Sequence, residues 1–139
     1  MYVGKARTLE EWADLYEKKT GEKLDRTKRP TFYFPDKGFG VFVTDGDMII
    51  LREICGDGIF WRQIGEVLAL ERGFHKLGTI CTRVKNIKAY FRGIGADITK
   101  EEVMEDNQIR YYLEDKHTKK TGRASPSIDG TKYIITWEV

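Results

Sequence analysis

Two glycines flanking one acid, Gly56-Asp57-Gly58, stand where a strand-like run gives way to a helix-like one, with Trp61 and Arg62 just downstream. Glycines at such a junction let backbone N–H groups point at an anion, and the helix dipole favours negative charge there. Arg62 is placed to add a second phosphate contact, and Trp61 to stack on a ligand ring or cover the core. The same three residues also read as a tight turn with Asp57 as helix cap. A nucleophilic pair is a second candidate. Cys55 and Cys81 would be neighbours if their strands lie parallel, with His75 in the same region. Buried, inert thiols are the simpler reading of those cysteines. No Cys-x-x-Cys or His-x-x-x-His spacing occurs, so no metal site is expected.

Charge offers a third kind of site. The chain has 24 Lys and Arg against 22 Asp and Glu, a net +2 over 139 residues, too little for a uniformly basic nucleic-acid binder. Locally the balance breaks. Arg72, Lys76, Arg83, Lys85, Lys88 and Arg92 follow one another with no acid between them. Lys116, Lys119, Lys120 and Arg123 form a second acid-free run. The first run is the candidate contact for a host protein or nucleic acid; the plainer reading of both is solvated surface.

These residues need elements to hold them. Thr8 and Glu11 form a capping-box pattern, and Leu9, Trp12, Ala13, Leu15 and Tyr16 repeat at helical spacing, which predicts a helix over 8–20. The period then becomes that of strands: 31–34, 39–44 and 48–55, with Asp45-Gly46 as a hairpin turn. Apolar spacing predicts a helix from 59 to about 74, then a strand over 79–84. Asn86 is placed to cap a further helix carrying Ile87, Tyr90, Phe91 and Ile94. Residues 96–103 alternate weakly, or form one helical turn from Thr99. Residues 108–113 and 133–137 read as strands, and 116–131 as loop. Strand, helix, strand in the centre predicts a parallel pair. Trp12, Phe42, Ile50, Leu68, Ile80 and Ile135 sit at the apolar phase and are the expected core.

This length suits one domain over 1–139 with a core of its own. No apolar run approaches the roughly 20 residues that span a bilayer. Residues 1–7 lack the apolar core of a signal peptide, so no membrane partner is expected and the expected location is the cytoplasm.

The order of elements, with the residues between Met48 and Ala96, resembles the GNAT N-acetyltransferase fold. Residues 48–55 are similar to that family's long fourth strand, 56–78 to its pyrophosphate loop and helix, and 79–84 to its fifth strand. The run Asn86-Ile87-Lys88-Ala89-Tyr90-Phe91-Arg92-Gly93-Ile94-Gly95-Ala96 resembles its segment of Asn, two residues and Ala, then Tyr, a basic residue, Gly and an aromatic. The resemblance implies an α/β (α+β) fold: a mixed sheet with an antiparallel N-terminal meander, a parallel strand-helix-strand centre and helices on both faces. It implies acetyl-CoA as cofactor, held by Gly56, Gly58, Trp61, Arg62 and Asn86. It gives Tyr90 the role of general acid to the departing thiolate and Glu53 that of base to the amine. The family's loop, Arg/Gln-x-x-Gly-x-Gly/Ala, has no clean match here; Gly56-Asp57-Gly58 and Gln63-Ile64-Gly65 are two incomplete registers. The whole sequence also resembles small proteins of prophages and other mobile elements of Gram-positive bacteria. The expected function is therefore a degenerate relative that binds a ligand or macromolecular partner without robust catalysis. The alternative is an acetyl-CoA-dependent N-acyltransferase acting on an unknown amine.

Overall fold

The computed structural model describes residues 5–139. It is a mixed α+β fold in which three α-helices pack on one eight-stranded sheet. In chain order the elements are α1 (Leu9–Thr20), β1 (Phe32–Phe34), β2 (Gly38–Asp45), β3 (Met48–Gly56), α2 (Gly58–Glu71), β4 (Lys76–Cys81), α3 (Ile87–Gly93), β5 (Ala96–Val103), β6 (Ile109–Asp115), β7 (Thr121–Pro126) and β8 (Tyr133–Glu138). The sheet order is β1-β2-β3-β4-β8-β7-β6-β5. All pairings are antiparallel except β3 with β4, the expected parallel pair, because α2 carries the chain back across the sheet. No helix among the described residues is long and apolar enough to cross a membrane.

Local chemistry sets the ends of α1. Thr8 Oγ1 accepts the Glu11 N–H and the Glu11 carboxylate accepts the Thr8 N–H, the reciprocal capping box. Gly21 closes the helix at φ 75°, a left-handed cap that a residue without Cβ adopts at least cost. Gly46 turns the β2–β3 hairpin, where Asp45 pairs with Met48.

The helices divide between the two faces. Trp12 and Tyr16 of α1 pack with Phe39 and Cys55 on one face. The Trp12 indole N–H donates to the Pro35 carbonyl at 2.9 Å and pins α1 over the β1–β2 turn. On the other face α2 lies so close that a Cβ on Gly40 would meet the Trp61 ring and one on Gly65 would meet Leu77. There α3 joins it, with Phe91 edge-on to Tyr111 at 5.3 Å.

Trp12 and Ile135 are fully buried, as expected, whereas Phe42, Ile50, Leu68 and Ile80 are only half-buried. Ile50 shares the face of Gly78, away from α2. On that side α1 packs on Phe39 of β2 and the Cys55 end of β3, so both Ile50 and Ile80 keep a solvent edge. Four further expectations change. The second helix stops at Glu71 because Gly73 takes φ 75°. The following strand starts three residues early, at Lys76, because β3 and β8 both offer ladder partners there. Asn86 makes no side-chain cap; it ends a short 3-10 turn, Val84–Asn86, and is exposed. The supposed loop over 116–131 contains β7, which polar residues form because it is paired on both sides, by β6 and β8.

Candidate functional site

The N-terminus of α2 is built around the turn between β1 and β2. Gly56 takes φ 103°, and a Cβ on it would lie 2.2 Å from the Lys37 carbonyl oxygen, so only glycine lets the ends of β2 and β3 meet. Asp57 is the helix cap: its carboxylate accepts the Phe60 N–H at 3.1 Å. The Lys37 ammonium lies 3.3 Å from the same carboxylate and 5.4 Å over the Phe60 ring. The Trp61 indole N–H donates to the Lys37 carbonyl at 2.8 Å. An acid and a cation from this chain therefore meet where a ligand phosphate was expected.

Arg62 is turned inward as well. It is 1% exposed, with Nε donating to the Ile94 carbonyl at 3.0 Å and one terminal nitrogen to Glu66 at 2.9 Å. Its other terminal nitrogen pairs with the Asp115 carboxylate, and the guanidinium stacks 4.9 Å from the centre of the Trp137 ring. Glu66 also faces Lys120 at 3.8 Å. Trp61 is fully buried. Both side chains that were expected to face a cofactor are turned inward here, Trp61 to the β1–β2 turn and Arg62 to Ile94, Glu66, Asp115 and Trp137.

The other two candidates meet. Pairing between β3 and β4 ends at Leu51 with Thr79. Beyond that point the strands separate and leave a cavity of about 180 Å³. Glu53 of β3, Cys81 of β4 and Tyr90 of α3 line it, together with Tyr16, Glu22 and Arg83. The Tyr16 hydroxyl donates to Glu22 at 3.0 Å, and the Arg83 guanidinium lies 5.5 Å from the centre of the Tyr90 ring. Burial, with the neighbouring Cys81 adding to it, pushes the Tyr90 phenol up to about 12. The phenol is therefore a proton donor at neutral pH and not a base. Tyr16 and Glu22 were not legible as site residues, since nothing in their spacing says that the end of α1 reaches the gap. None of Gly56, Gly58, Trp61, Arg62 or Asn86 lines this cavity.

Cys55 and Cys81 are not neighbours. Cys55 lies four residues past the last β3 position paired with β4 and belongs to the cluster under α1, its thiol donating to the Trp12 carbonyl at 3.5 Å. Cys81 belongs to the core on the opposite face. Burial pushes the Cys55 thiol up to about 11 and raises that of Cys81. His75 is exposed, with no cysteine beside it among the described contacts.

The basic run does not form one face. Arg72 and Lys76 stand at the start of β4, while Arg83 and Lys85 stand beyond its end, about 20 Å away at strand rise. Lys88 and Arg92 are four residues apart on α3, both exposed, with Lys88 3.6 Å from Glu101. Compared with known proteins, the chain matches no family model, no curated protein and no solved structure.

Proposed function

We infer that this chain is a binding protein on an acyltransferase-like scaffold, without acetyl-CoA turnover. One observation carries the reading: the Asp57 carboxylate, with Lys37 against it, holds the N-terminus of α2, where the cofactor's pyrophosphate has to sit. A carboxylate at that point repels a phosphate that must approach within a few ångströms. Tight contact of Gly58 with Gly93 leaves the neighbouring side without space. The partner surface is the Arg83–Arg92 end, where Lys85, Lys88 and Arg92 are exposed, and it suits an acidic protein surface or nucleic-acid backbone. A chain of mobile-element origin would find that partner in its host.

Thermal unfolding with acetyl-CoA tests the reading, since any ligand bound by the folded state alone raises the melting temperature by mass action. No shift is expected at millimolar acetyl-CoA. A concentration-dependent rise overturns the reading.

The acyltransferase alternative is favoured by the meeting of Glu53 and Tyr90 in one cavity. It requires thiol release from acetyl-CoA that falls at least about tenfold, near 1.4 kcal/mol of transition-state stabilisation, in Tyr90→Phe or Glu53→Gln.

A further inference from the structure

Beyond the last pairing of β3 with β4, at Leu51 and Thr79, the gap between the two strands is reached from both faces of the sheet. Tyr16 lines it from α1, which packs on one face, and Tyr90 from α3, which packs on the other. Its volume of about 180 Å³ lies below the roughly 300 Å³ at which drug-sized sites begin, so it suits a molecule of a few heavy atoms.

Two buried hydroxyls meet there without satisfying each other. Tyr90 is 8% exposed, and no group among the described residues accepts a hydrogen bond from its phenol. The Thr79 hydroxyl beside it is 1% exposed and has no hydrogen-bond partner. Burial keeps the Tyr90 phenol protonated far above neutral pH, so it stands in the gap as a donor. A buried polar group left unmatched costs more than a matched one gains, so an occupant that brings an acceptor is favoured.

The gap also asks for a donor. Glu53 of β3 accepts no hydrogen bond among the described residues, and its one charged neighbour, Arg52, lies 3.5 Å from a single oxygen of the carboxylate. Charge itself does not choose the occupant. Two carboxylates, Glu22 and Glu53, are matched by two guanidiniums, Arg52 and Arg83, so the charged groups around the gap sum to zero. Recognition therefore rests on hydrogen bonds. An amide carries a carbonyl acceptor and an N–H donor in one planar group. An ammonium brings no acceptor for the phenol, and a carboxylate brings no donor for Glu53.

We propose that this gap binds a small uncharged amide, its carbonyl oxygen accepting from Tyr90, its N–H donating to Glu53 and its apolar end resting on Leu51 and Ile80. The site goes beyond the basic partner surface and is independent of the closed end of α2, since none of Gly56, Gly58, Trp61 or Arg62 lines it. Acetyl-CoA binding can therefore succeed or fail without touching it.

NMR titration of the full chain, labelled with carbon-13 in its tyrosine rings, reads the proposal through Tyr16 and Tyr90. The probes are butyramide, pentan-2-one, butylamine and butyrate, matched in size. Butyramide is expected to saturate both signals in the millimolar range and to bind at least about fivefold more tightly than each of the other three. Read through Tyr16, Tyr90→Phe should weaken butyramide and pentan-2-one alike, by about fivefold or more. Glu53→Ala should remove the advantage of the amide over the ketone. Failure of every probe to saturate means that water alone fills the gap and overturns the proposal. A ketone, amine or acid that binds as tightly as butyramide overturns it on the unaltered chain, whatever the variants do. Butyramide affinity unchanged in folded Tyr90→Phe or in folded Glu53→Ala overturns it as well.

Discussion

Gly58, the first residue of α2, stands against Gly93, the last residue of α3: a β-carbon on Gly58 would lie 2.9 Å from the Gly93 carbonyl oxygen. The atom it meets is backbone, so no rotamer change relieves the contact. Gly58→Ala is therefore expected to destabilise the fold by roughly 1–3 kcal/mol. At a helix position with free space the same change stabilises by up to about 1 kcal/mol. Urea unfolding decides between these signs. A midpoint that stays or rises shows that the two helix ends are not in contact.

The Arg62–Asp115 pair joins α2 to the turn after β6 with both side chains buried. Removing one partner strands a buried charge, so Arg62→Leu should cost about 3–5 kcal/mol. The double variant Arg62→Leu/Asp115→Leu should cost clearly less than the sum of the two single changes. A double-mutant cycle with no coupling removes the pair from the account of stability.

Acid should find the same pair. Burial alone pushes the Asp115 carboxyl up, but N–H bonds from Thr118 and His117, with Arg62 beside it, outweigh burial and hold it below the usual range. A depressed folded value means that the contribution is complete above the unfolded value of about 4 and is lost as pH falls through the folded one. Stability should therefore drop below about pH 4. Asp115→Asn should flatten that part of the profile. An unchanged acid limb in the variant would rule out Asp115 as its source.

Together with Tyr16, whose phenol is raised by burial and by Glu22, Tyr90 shapes the alkaline side. Its phenol is pushed up to about 12 by burial, against 10.0 for the free group, so its contribution is complete below pH 10 and is lost as pH rises towards 12. Absorbance titration near 295 nm should show that the tyrosine still protonated at pH 11 falls by one phenol in Tyr90→Phe, while Tyr16, also raised by burial and by Glu22, keeps its proton in both. Early ionisation of every tyrosine in the folded protein would place Tyr90 in solvent.

Both thiols should be slow. Cys55 and Cys81 are buried, and burial raises each above its ordinary value, so little thiolate exists at neutral pH. A colorimetric disulfide reagent is expected to react slowly with the folded chain and at once with two thiols in urea. A rapid reaction of either cysteine in the folded state contradicts the placement.

What the sequence determined by itself is what neighbouring residues settle between them. The Thr8–Glu11 box and Gly21 bound α1, Asp45-Gly46 turned the hairpin, and Asp57 was legible as a cap because its partner is three residues away. The parallel β3–β4 pair followed from the length of the connection that α2 has to make. β7 was hidden because its residues are polar and its reason to be a strand lies in the ladders it makes with β6 and β8, not in its own pattern. Ile50 and Ile80 carry the apolar phase of core strands, yet the extent of α1 decides their exposure.

The sites divide in the same way. Glycines at a strand-to-helix junction have the same local pattern whether they cradle an anion or pack against backbone. Only the arrival of Lys37 and Gly93 from elsewhere in the chain closed that end of α2. Glu53 and Tyr90 came together because β3 and β4 part after Leu51 and Thr79, a consequence of sheet geometry with no signature at either residue. Tertiary structure decided these points because each depends on contacts between residues 20 or more positions apart, where periodicity and capping carry no information.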